Sequence, residues 1–168
     1  MFAIRKAFVG RSRTNLLLLL IALTFAASAG VAVGVALATP GEGTVGTLLA
    51  RGSNHDEVTV HTDAVKFKTQ GPTDVVVVTQ TWQPGGHSGW HSHPGPVLFT
   101  LKEGALSVFD GNCNAREITA GEAFVEPVGE PMEVKNYGTV PAVAYFAIVN
   151  APGAPGRDDE PNPGCDIP

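Results

Sequence analysis

The sequence predicts an all-β domain, a sandwich or a barrel, behind an N-terminal apolar segment. Three observations carry that expectation. The apolar stretches after residue 50 are short, and several alternate with period two, the mark of half-buried strands. Twenty glycines and thirteen prolines supply the turns that many short strands need. No stretch after residue 50 spaces its apolar residues as a helix would. The chain has 168 residues, 43% of them hydrophobic, which is enough for one packed core and too few for two large ones.

Residues 1–38 carry Arg5, Lys6, Arg11 and Arg13 and no acid, and an uncharged run follows from Leu16 to Ala38. A basic flank before an apolar run is the layout of a secretory signal, and Ala27-Ser28-Ala29 and Ala36-Leu37-Ala38 are small-x-small cleavage sites. The same 23 residues, at ~1.5 Å each, are long enough for an uncleaved helical anchor across a ~30 Å hydrocarbon core. Either way residues 1–38 are expected to send the rest of the chain across a membrane, secreted or anchored with the domain outside. Residues 39–168 hold 7 basic and 16 acidic groups, a net of −9, which argues against a nucleic-acid partner.

Residues 39–56 read as a linker and a first barrel-edge segment, the linker being the Gly-rich stretch from Thr39 to Gly46. Alternation then marks strands at Glu57–His61, Ala64–Lys68 and Met132–Asn136. Asp74–Trp82 is rich in β-branched residues, and Val97–Lys102, Ala105–Asp110, Ala115–Thr119, Ala123–Glu126 and Ala142–Val149 follow. Glu103-Gly104, Asp110-Gly111 and Ala120-Gly121 punctuate them as turns. The tail 151–168 is rich in proline, glycine and acids and is expected to run over the surface as an extended strap. Cys113 lies at a hairpin tip and Cys165 in this tail. An even count in an exported chain predicts a disulfide between them.

Three of five histidines fall within seven residues: His87, His91 and His93. Residues two apart on a strand share a face, so His91 and His93 can converge on one ion. Around them Gly85 is followed by five residues, His91-Ser92-His93, three residues, Val97, six residues and Gly104. Further on, Gly121 is followed by five residues, Pro127-Val128-Gly129, two residues, Met132, three residues and Asn136.

These two spacings resemble the paired motifs of the cupins over about residues 57–150. The resemblance implies a double-stranded β-helix barrel there, with four metal ligands: two histidines and a glutamate from the first motif and a histidine from the second. His91 and His93 occupy the first two positions. Val97 stands at the glutamate and Met132 at the second-motif histidine. Three ligand sets stay open: no metal, with His91 and His93 as polar pocket groups; His87 or Met132 joining the pair on one divalent transition ion; or a carboxylate from elsewhere, Glu126 or Glu133. On an alternating strand Glu133 should face away from Met132. Trp90, Val97 and Phe99 are expected to wall a ligand pocket.

The leading expectation is therefore an exported single-domain protein whose barrel binds a small molecule, with or without a metal. A metal-dependent enzyme of dioxygenase, isomerase or decarboxylase type is the alternative, and a non-catalytic cell-surface module the third. The resemblance also implies a homodimer, and the apolar run 16–38 a membrane contact if it is retained.

Overall fold

The computed structural model describes residues 39–167. The signal or anchor expected over residues 1–38 lies outside the described residues. Among the described residues every regular element is a strand: β1 (Glu42–Asn54), β2 (Thr59–His61), β3 (Lys66–Lys68), β4 (Thr73–His87), β5 (His91–Ser92), β6 (Val97–Glu103), β7 (Ala105–Asp110), β8 (Ala115–Thr119), β9 (Ala123–Glu126), β10 (Met132–Lys135), β11 (Ala142–Asn150) and β12 (Asp158–Asp159). Strands β2 and β3 form a small hairpin of their own. The other ten form one antiparallel sheet, ordered β12-β5-β10-β4-β11-β6-β9, with β1 on β4 and the β7–β8 hairpin on β10. The sheet curls into a nearly closed barrel with the core on its inner face.

Alternation decides which side chains enter that core. Val97, Phe99 and Leu101 of β6 are buried while Leu98, between two of them, is exposed. On β11, Ala142, Ala144, Phe146 and Ile148 point inward by the same rule. Trp82 packs against Phe99 and Phe146 at ring distances of 6.3 and 6.0 Å, within the 4.5–7 Å range of favourable aromatic pairs.

Strand β4 serves two parts of the sheet. From Thr73 to Trp82 it lies between β1 and β11, and at His87 it pairs with Lys135 of β10. The change of neighbour happens at Gly85-Gly86. A Cβ at Gly86 would fall 2.5 Å from the Gly43 carbonyl oxygen, so β1 can cross here only over a glycine. Asn136, buried just past β10, locks the bend. Its side-chain NH₂ donates to the carbonyls of Trp82 (3.0 Å) and Val140 (2.9 Å), and its Oδ1 accepts the Gly138 N–H (2.8 Å). Asn136→Ala would orphan the Trp82 carbonyl in the interior and is expected to cost about 1–3 kcal/mol of unfolding free energy in urea titrations. A loss below ~1 kcal/mol would show that water replaces the amide.

Two expectations need correction. Residues 42–46, read as linker, begin β1. This strand is exposed on both faces, with only Thr44 and Asn54 half-buried. No buried alternation marks it, and its order comes from hydrogen bonds to β4. The tail is a strap, but it also contributes β12, which pairs with β5. Cys165 in the strap forms a disulfide with Cys113, 52 residues away at the tip of the β7–β8 hairpin. The Asp110 carboxylate accepts the N–H groups of Asn112 and Asn114 there, and Cys113 sits at φ 66°.

Candidate metal centre

The histidine pair owes its aim to β5. His91 and His93 point into the barrel, and Ser92 between them points out, donating to the Glu160 carboxylate of the strap at 2.8 Å. The two imidazoles meet edge to face with centroids 4.9 Å apart. Each ring is turned by a carbonyl behind it. His91 Nδ1 donates to the Gly89 carbonyl at 2.9 Å, and His93 Nδ1 donates to the Gly156 carbonyl at 2.7 Å. A carbonyl only accepts, so each Nδ1 carries a proton and both Nε2 atoms are turned to the interior. Gly89 can hold its carbonyl there because it adopts φ 68°, with the Thr39 oxygen 2.0 Å from where a Cβ would stand.

The third member is Glu126 at the end of β9. His91, His93 and Glu126 are all buried, and one ligand atom from each lies within 4.8 Å of the others. Glu126 Oε2 is 2.8 Å from His93 Nε2, yet it has no hydrogen-bond partner. The two atoms sit at ion-pair distance, and a cation held by both would give the orphaned oxygen a partner. Burial first, and then the Arg157 cation, push the His91 imidazole down to about 3, so it stays a neutral donor of electrons at ordinary pH.

The carboxylate sits where the sequence motif would not place it. Val97 stands at the expected glutamate position on β6, and its partner across the β6–β9 ladder is Glu126. Residues directly opposite in an antiparallel pair project on the same face with Cβ atoms ~4.5–5.5 Å apart. Glu126 therefore delivers its oxygen to the region that a residue-97 carboxylate would serve. Two imidazole nitrogens and one carboxylate, converging and buried, fit a divalent transition ion.

A cavity of about 200 Å³ adjoins this cluster. His91, His93, Glu126, Arg157, Gln80 and Ser88 are its polar lining, and Val78, Trp82, Val97, Val134, Phe146 and Ile148 its largely apolar lining. Of the expected pocket residues only Val97 is among these. Phe99 lies deeper, against Phe124 and Phe146. Trp90 is buried beside the strap, in a separate hollow with His87 and Cys165. His87 does not join the pair: its Nδ1 lies 2.9 Å from Glu133 Oε1. Glu133 thus faces away from the cluster, as alternation requires. Met132 is directly opposite His91 in the β5–β10 ladder but does not line the cavity; it packs in the core and borders a groove with Phe109 and Phe124.

Sequence reasoning named Glu126 only as one of two carboxylates, because the signal that selects it is the strand register. It missed Gly156 and Arg157 entirely, since the strap carries no motif.

Residues 78–149 match the family model for the cupin domain. No curated protein matches the chain. Among solved structures, the polyketide cyclase RemF from Streptomyces resistomycificus is similar over 76% of this chain and 80% of that one, at 15% identity and a TM-score of 0.52. A cupin domain from Bordetella pertussis Tohama I covers 68% of this chain and 99% of its own, at 19% identity and a TM-score of 0.47. An oxalate oxidase is 26% identical over 51% of this chain, which spans 45% of that protein, at a TM-score of 0.45. The likeness to RemF supports the fold.

Proposed function

Starting from a chain that carries a cupin domain, we propose that its barrel holds one divalent transition metal on His91, His93 and Glu126 and binds a small molecule in the adjoining cavity. The observation that carries this reading is the convergence of two imidazole nitrogens and one carboxylate oxygen, all on buried residues, within 4.8 Å of one another. Each imidazole donates its Nδ1 proton to a backbone carbonyl behind it, which raises the ring's basicity and fixes its orientation. A bound divalent ion would supply Lewis-acid polarisation of a ligand oxygen. The protein's own groups bind and orient: the apolar wall shields the ligand from water, and Arg157 and Gln80 offer hydrogen bonds.

A binding or accessory role is the leading reading. A catalytic one is favoured by one feature, a set of three protein ligands, which leaves positions for substrate or water. Export is part of the same proposal. The Leu16–Ala38 run and the Cys113–Cys165 disulfide both suit an oxidising compartment outside the cytoplasm.

Elemental analysis of the protein purified without chelator or affinity tag tests the reading. About one transition-metal ion per chain is expected, and a chelator-stripped sample should take up one Zn²⁺. A stripped sample that takes up none would remove the metal and leave His91 and His93 as polar groups of a ligand pocket.

A further inference from the structure

We infer that the cavity takes a small anion with an apolar body, and that Arg157 selects its charge. The inference deepens the proposed function and rests on it for one of the two positive charges invoked.

The shape comes first. About 200 Å³ is below the ~300–1,000 Å³ of sites for drug-sized ligands, so the occupant is small. Six largely apolar side chains line the cavity, and those walls are best covered by hydrocarbon or an aromatic ring. The polar lining sets the head group. Glu126 is the one acid among the described lining residues and Arg157 the one lysine or arginine. With a divalent ion on two neutral imidazoles and one carboxylate, the cluster would carry a net charge of +1, and the guanidinium, ion-paired to the exposed Asp159, adds a second, partly offset cation. Low-dielectric walls strengthen the pull of such a pair on a negative head group.

Arg157 has donors to spare. Its Nε and Nη2 engage the Asp159 carboxylate and its Nη1 donates to the Ser88 carbonyl at 3.1 Å. A guanidinium has five N–H groups, so one remains on each terminal nitrogen. Asp159 is exposed and outside the cavity lining, and Ser88 is buried within it. The carboxylate thus braces the guanidinium from outside. The planar fork suits a carboxylate-like head better than an ammonium would.

The strap fixes where Arg157 stands. Gly156, one residue before it, accepts from His93, and Glu160, three residues after it, bonds the Trp90 carbonyl through its N–H and Ser92 through its side chain. The residue that reads charge is thereby tied to the histidines of the cluster.

The test is calorimetric titration of the full-length protein, zinc-loaded and chelator-stripped, with benzoate and with benzyl alcohol as a neutral probe of similar size. Benzoate should bind the loaded protein at least about tenfold more tightly, the size expected of charge-assisted hydrogen bonds. Arg157→Leu should erase that preference, and Arg157→Lys should restore part of it. Zinc affinity of Arg157→Leu should stay within about threefold of the parent, since the ligand atoms are untouched. Equal binding of the two probes by the parent, binding of neither, or a preference that survives in Arg157→Leu would overturn the inference. So would a parallel fall in zinc affinity, which would assign Arg157 to holding the strap. A stripped protein that still prefers benzoate through Arg157 would uphold it even if the metal reading fails.

Discussion

Moving the carboxylate of the centre from one strand to its neighbour is expected to leave an ion bound. Glu126→Val alone should lower zinc affinity by about 100-fold or more, because two imidazoles are then the whole protein ligand set. Val97→Glu combined with Glu126→Val should bring affinity back to within about tenfold of the parent. The reason is the ladder: the two positions are directly opposite and project on the same face. The exchange also conserves the valine and glutamate volumes within one pair of facing sites, so packing strain is small. Competition against a chromophoric chelator measures both variants. A double variant as weak as Glu126→Val would show that the carboxylate must come from β9. Parent-like affinity in Glu126→Val would remove Glu126 from the centre.

The second large effect is on stability. Replacing both cysteines by serine is expected to cost about 3–4 kcal/mol, the chain-entropy value for a loop of this length. For a domain of this size that is a fall of roughly 12–16 °C in Tm. Calorimetry of the parent, the reduced parent and the double variant checks it. A fall below about 3 °C would mean that the bond strains the folded domain nearly as much as it confines the unfolded one.

The barrel was legible because strand burial follows a period of two and because glycines mark the turns. Val97, Phe99 and Leu101 announce an inward face by alternation, and the structure buries all three. The edge strand β1 was not legible, because a strand exposed on both faces has no apolar period to show. The site was half legible. His91 and His93 follow from local spacing, whereas the place of Glu126 depends on how β9 aligns with β6, which a single sequence does not encode in any one residue. Val97 read as a lost ligand because the motif runs along one strand, while the ladder operates across two. His87, only four residues from His91, turns to Glu133 because the Gly85-Gly86 bend and Gly89 change the direction of the chain on either side of it. Trp90 and Phe99 show that a large aromatic near a motif packs by default.

The strap has a consequence for how the protein is made. Synthesis runs from the N-terminus, and every strand of the barrel except the two-residue β12 is complete at Asn150. Gly156, Arg157, Glu160 and Cys165 leave the ribosome after them. A nascent chain can therefore close its sheet while His93 still lacks the carbonyl that turns its ring. The centre matures last, when the tail lies down and the sulfurs join. A chain cut anywhere within residues 151–168 would keep β1–β11 and lose part of the strap.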